Sequence, residues 1–175
     1  MEGRSATLRQ RNAGFVDAKG LANLLLDWGE TDDVLISPMK LQKLLFFLHA
    51  DFLVNHDRAL IKQEFEAWNH GPVIPSLYAE FKQFKDKPIT ARAKAFDPIT
   101  AATITASCDL GCDDLCLVRE LYDFYKKLTA FELSRRSHEF DGVWRQARSL
   151  FANGLNMDRR VSNEMILAFH RPIHN

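Results

Sequence analysis

Residues 36–56 read ISPMKLQKLLFFLHADFLVNH, and the distribution of apolar side chains in this stretch decides the fold. Ser37 has the position and chemistry of an N-cap, and Pro38 suits a first helical residue, where no intrahelical N–H bond is lost. Leu41, Leu44, Leu45, Leu48 and Phe52 recur at helical spacing and form one stripe, while Phe46 and Phe47 add a second apolar face. A helix apolar over most of its circumference belongs inside a domain. Residues 38–55 are therefore expected to be a central buried helix on which the other elements pack.

The flanking sequence supplies those elements. Upstream, Asp17 caps an expected helix with Leu21, Leu24, Leu25 and Trp28 on one face, and Gly29 is its expected stop. Downstream, EFEAW (64–68) alternates Phe65 and Ala67 against Glu64 and Glu66 and reads as a short strand. Pro75 opens the next helix, with Leu77, Phe81 and Phe84 inward and Pro88 as its limit. Residues 89–107 hold ITARAKAF and ITAATIT, rich in β-branched residues and interrupted by Pro98, a pattern of either a hairpin or a loop. From Asp113, Val118, Leu121, Tyr122, Tyr125 and Leu128 share a helical face. Thr129 and Glu132 have the spacing of a capping box that begins another helix, running to about His138. Asp141 then caps GVWRQARSLF up to Asn153-Gly154, and Ser162 caps a last helix through Phe169. The expected architecture is mainly α (α+β): one compact helical domain around a central buried helix, with a small antiparallel β element, over residues 17–172 after a tail at 1–16.

Composition narrows the function classes. With 23 Lys+Arg against 23 Asp+Glu in 175 residues, the chain lacks the basic field of a general nucleic-acid binder. An apolar content of 46% with 26% charged residues is globular, and no run is long and uncharged enough for a membrane span. Arg4, Arg9 and Arg11 against Glu2 leave a transit peptide or a DNA-touching arm conceivable, with a solvated tail the simpler reading. Three cysteines, Cys108, Cys112 and Cys116, make no disulfide framework and suit a reducing cytoplasm. They lack the fourth ligand and paired spacing of a structural zinc site, so they are expected to pack as small hydrophobes, with no metal and no cofactor.

Catalytic candidates are sparse. His49 and His56 lie seven apart without a metal-protease motif. His70 and His138 each sit beside a turn and near a tryptophan, where an imidazole commonly closes a corner by bonding backbone carbonyls. Ser134, Ser137, His138 and Asp141 are sequence neighbours, but a triad draws its members from different elements. The residues alone indicate a helical domain that binds a partner and is not an enzyme. A hydrolase using His70 or His138, or a phage or plasmid regulator touching DNA through its Arg-rich start, is the alternative.

SPMKLQKLLFFLHADFL followed by EFEAWNHGPVIPSLYAEFK resembles the Panacea antitoxin family, with its SocA-type proteolytic adaptors and phage-associated GepA-like members. The resemblance is carried by Lys40, Leu41, Lys43, Leu44, Ala67, Trp68, Gly71, Pro72, Val73, Pro75 and Tyr78, and farther on by Leu133, Ser134, His138, Trp144 and Ala147. Phe46 and Phe47 depart from it, standing where tyrosine is common, and residues 89–112 have no clear counterpart. What the resemblance implies is an antitoxin that neutralises a cognate toxin, encoded by a neighbouring gene, through direct protein contact, or that delivers it to a protease. On that reading the partner-binding face comprises Lys40, Lys43, Trp68, His70, Gly71, Pro72, Tyr78, His138 and Trp144, an aromatic corner beside the central helix.

Overall fold

The structure is a computed structural model that describes residues 16–139, 147, 149, 150, 152 and 159–169; for 138, 139 and 169 only the backbone is described. Residues 1–15 of the expected tail at 1–16, the turn after Glu139, most of the helix capped by Asp141, and Pro172 lie outside the described residues; Val16, expected in the tail, is instead buried, with its amide donating to the Leu60 carbonyl at 3.0 Å.

Helix α1 spans Ala18–Thr31, with the Asp17 carboxylate accepting from the Lys19 amide at 2.9 Å. It continues past Gly29, the expected stop. Gly29 is buried in the last turn, where an added Cβ would come within 2.8 Å of the Ile36 side chain, so this glycine serves close packing rather than termination. Helix α2, Pro38–His56, starts on the Ser37 cap and ends on Asp57 in the left-handed conformation, φ 54°. All residues from Leu41 to Leu53 are buried, as the double apolar face requires.

The 3-stranded sheet has β1 (Phe65–Trp68) in the middle, with β2 (Gly71–Val73) and β5 (Arg160–Val161) antiparallel on either side. Helix α3 follows as Pro75–Phe81, extended by a 3-10 turn at Lys82–Phe84. Residues 89–107 resolve as a hairpin: β3 (Lys94–Asp97) pairs with β4 (Ala102–Thr105), Lys94 opposite Thr105. Helix α4, Cys112–Tyr125, buries Val118, Leu121, Tyr122 and Tyr125; Leu128 falls beyond its end. Thr129 and Glu132 form the reciprocal capping box: the Thr129 amide donates to Glu132 Oε2 at 2.7 Å and the Glu132 amide to Thr129 Oγ1 at 3.1 Å. It opens α5, Ala130–Glu139, and Ser162 caps α6, Asn163–Phe169. Among the described residues, no helix is long and apolar enough to cross a membrane.

Of the three cysteines only Cys108 packs against the core as expected. Cys108 is half-buried, whereas Cys112 and Cys116 are exposed. The inward stripe of α4 begins at Val118, and residues six and two positions earlier point away from it. Among the described residues no group of three or more His, Cys, Asp or Glu is placed to hold a metal ion.

A helix buried all round from Leu41 to Leu53 could rotate or slide among its apolar neighbours, and its few polar side chains prevent this. Gln42 accepts the Ile74 amide at 2.8 Å and donates to the Ile74 carbonyl at 3.3 Å. His49 Nδ1 accepts the Ile61 amide at 3.1 Å, leaving Nε2 as the donor to Asn163 Oδ1 at 3.0 Å. Asp51 accepts the Tyr125 hydroxyl at 2.5 Å, and burial with that carboxylate pushes the phenol pKa well up. Each bond ties α2 to a different element, and a slip in register would orphan several buried groups at once.

Candidate functional site

The site grows from the turn that joins β1 and β2. Trp68 pairs with Gly71, so only Asn69 and His70 make the loop. Gly71 has φ +102°, a conformation that L side chains rarely adopt. A Cβ there would also lie 2.5 Å from Lys43 Nζ and 2.6 Å from Ser137 Oγ. Pro72, in an edge strand of the sheet, needs no ladder N–H on its outer side. Its carbonyl instead accepts from Lys43 Nζ at 2.9 Å. The Gly-Pro pair thus makes room for a lysine ammonium and supplies its acceptor.

Lys43 is 1% exposed, and burial pushes its amine down to about 7 from an ordinary 10.5. Its neighbour one turn back, Lys40, points elsewhere. Lys40 Nζ donates to the Lys126 carbonyl at 2.9 Å, where a cation satisfies the open C-terminal end of α4. Burial lowers the Lys40 pKa, and Glu132 partly offsets this. Neither lysine is the free surface charge that its place on a helix suggests.

Beside the turn, Trp68 and Tyr78 meet edge to face with centroids 4.8 Å apart, and the Trp68 indole N–H donates to Glu66 Oε2 at 2.7 Å. The Tyr78 side chain stays 43% exposed. Pro75 starts α3 only three residues after Pro72, and that short connection holds Tyr78 on the outside of the helix while Leu77 and Phe81 turn inward. Ser134 of α5 donates to the His70 carbonyl at 3.3 Å, docking α5 on the turn through the main chain rather than through the imidazole.

These elements enclose an open cleft of about 370 Å³. Met39, Gln42 and Lys43 of α2, Trp68, Asn69 and His70 of the turn, Leu77, Tyr78 and Phe81 of α3, Lys85 after the 3-10 turn, and Arg159 beside β5 contribute to its walls. Of the residues expected on a partner-binding face, Lys43, Trp68, His70 and Tyr78 line it together. Gly71 and Pro72 stand behind the wall and shape it, whereas Lys40 caps α4. The His138 side chain and Trp144 lie outside the described residues. Leu77 and Phe81 read in the sequence as plain core. Lys85 carries no sequence signal, and Arg159 arrives only through the pairing of β5 with β1. What this arrangement offers chemically is an apolar trough with aromatic edges, since Gln42 is occupied by backbone bonds.

Comparison with known proteins gives one consistent picture. Residues 41–145 match the family described as antitoxin SocA-like, Panacea domain. Antitoxin SocA of Caulobacter vibrioides (strain NA1000 / CB15N) is 35% identical over 155 residues, spanning 86% of this chain and 80% of that protein. No solved structure matches significantly.

Proposed function

The chain belongs to the SocA-like Panacea antitoxin family, and on that premise we propose that it neutralises a cognate protein toxin, encoded by a neighbouring gene, by binding it directly. The domain that does so spans residues 17–172 together with Val16, which joins its core, with the residues before it as a tail, and it works in the cytoplasm without enzymatic activity, metal or cofactor. The observation that supports binding is the open cleft, whose walls keep Tyr78 and Met39 in solvent at 43% and 39% exposure beside a rigid turn. Exposed aromatic and long apolar side chains held on a stiff frame are the usual anchors of a protein interface, because little conformational freedom is lost on contact. The partner-binding set on this reading is Trp68, His70 and Tyr78 on the surface, with Lys43, Gly71 and Pro72 supporting it.

Co-expression with the product of the adjacent gene tests the reading. Growth should be restored, and the two proteins should co-purify with at least about 1,000 Å² buried in total. Failure of the unaltered protein to bind or to rescue against any neighbouring product refutes it. Delivery to a protease is distinguished by the toxin's lifetime: an adaptor shortens it in cells that hold the protease, whereas a neutralising partner leaves it unchanged or longer.

A further inference from the structure

The β3–β4 hairpin leans on the body of the protein along one edge only. The Ala106 amide donates to the Ala93 carbonyl at 3.0 Å. Bonded and non-bonded pairs alternate along an antiparallel ladder, so Ala95 with Ile104 and Asp97 with Ala102 are bonded pairs as well. The main-chain groups of Lys94 and Phe96 on β3, and of Thr103 and Thr105 on β4, then point out of the hairpin to either side. On the β3 side the body takes them up: the Lys94 amide donates to Glu80 Oε1 at 3.1 Å, and its carbonyl accepts Lys19 Nζ at 2.8 Å. On the other side β4 is the outer edge of a two-stranded sheet, and all four of its residues, Ala102–Thr105, are exposed.

Edge strands are usually blunted by charge, proline or a bulge. β3 carries Lys94 and Asp97, but β4 reads ATIT, uncharged, rich in β-branched residues and paired with β3 residue for residue. The strand is also held stiffly. Asn23 accepts the Ala93 amide at 2.8 Å and donates to the Ala106 carbonyl at 2.8 Å at the base of the hairpin, and in its turn the Asp97 carboxylate accepts the Ile99 amide at 3.0 Å and the Thr100 hydroxyl at 2.6 Å. A strand fixed at both ends loses little freedom when another pairs with it.

We propose that β4 is a self-association edge, which pairs antiparallel with β4 of a second copy of this chain about a two-fold axis at Ile104 and joins the two hairpins into one sheet. The occupant follows from Thr103-Ile104-Thr105, which reads the same in both directions. With Ile104 on the axis, the outward groups of Thr103 meet those of Thr105 of the copy, and the reverse, so each outward donor faces an acceptor. A slip of one residue would set these groups against ones that point back to β3. Ile104, 44% exposed in the single chain, covers its own counterpart, and two copies of an uncharged strand meet without opposed like charges. The seam is short, well below the roughly 1,200 Å² of a stable interface, so the pair forms reversibly and only at high concentration.

Two measurements test this. Sedimentation velocity of the full-length protein from about 10 μM to about 1 mM should show monomer passing to dimer. Ile104→Lys sets like charges face to face on the axis, and it should remove the dimer at every concentration while the melting temperature holds. The second measurement reads the register. In a full-length background of Cys108→Ala, Cys112→Ser and Cys116→Ser, Ile104→Cys places two thiols at the axis, where facing Cα atoms lie about 4.5 Å apart, within disulfide range. With diamide as oxidant it should cross-link at least about tenfold faster than Ile99→Cys, although Ile99 is 93% exposed at the tip of the hairpin. A protein that stays monomeric throughout, a dimer that survives Ile104→Lys, or equal cross-linking at the two positions would overturn the proposal. Loss of binding to the neighbouring toxin by Ile104→Lys, with no dimer of the unaltered protein, overturns it too and gives the edge to the toxin.

Discussion

Replacing Lys43 with methionine keeps the length and most of the volume of the side chain and removes its charge. In the native state burial lowers the amine from 10.5 to about 7, a drop of about 3.5, worth about 5 kcal/mol at about 1.4 kcal/mol per pH unit. That figure is an upper bound for the penalty carried below pH 7. The native pKa lies under the unfolded one, so between about pH 7 and 10.5 the unfolded chain holds a proton that the native protein has released. Stability of the unaltered protein therefore rises with pH across that window, and below it the penalty is fully present. Methionine abolishes the penalty but leaves the Pro72 carbonyl without its donor, a loss of about 1–3 kcal/mol. The variant should be more stable than the parent by about 2–4 kcal/mol at pH 6, with the advantage shrinking toward zero or changing sign by pH 10. Urea denaturation followed by tryptophan fluorescence at intervals between pH 6 and 10 reads the difference. A stability difference that stays flat across this range would show that Lys43 is no desolvated ammonium, and the account of Gly71-Pro72 as its housing would fall with it.

Other perturbations follow the same bonds. Leu48→Ala, at a fully buried position in the middle of α2, should cost about 2–5 kcal/mol in thermal or denaturant unfolding; a cost below about 1 would contradict its central place. Gly71→Ala must accommodate φ +102° and displace Lys43 Nζ, so a loss of about 1–3 kcal/mol is expected, with the Trp68 indole resonance shifted. Asn23→Ala should cost about 2–4 kcal/mol and speed hydrogen exchange at the Ala93 amide. That side chain accepts from Ala93 N and donates to the carbonyls of Ala93 and Ala106, clamping the base of the β3–β4 hairpin; unchanged exchange would refute the clamp.

Much of the fold is legible in the sequence because its signals are local. Ser37-Pro38, Asp17, the Thr129–Glu132 box and Ser162 each satisfy backbone groups within a few residues, so their spacing specifies helix starts without reference to the rest of the chain. The circumferential apolar pattern of α2 likewise requires burial whatever packs on it. Gly29 shows the limit, since a glycine near a helix end looks like a stop until Ile36 is seen to occupy the space beside it. The cysteines show the same limit, because four-residue spacing cannot say which side of α4 faces the core.

The site was legible only in part. Trp68, Gly71, Pro72 and Tyr78 stand out as an aromatic corner, but Lys40 and Lys43, three residues apart and chemically alike, are told apart only by what the chain brings to them. One meets the end of α4 and the other the back of the β1–β2 turn, across 86 and 29 residues of sequence. Arg159 enters the cleft through a strand pairing whose partners are more than ninety residues apart, as Glu66 opposite Arg160 shows. Capping and hydrophobic periodicity act between near neighbours, so the capped helix starts and the inward place of α2 could be read from local sequence. Which polar side chains lose their water and which line a cleft is settled by folding alone, because desolvation depends on atoms that arrive from distant parts of the chain.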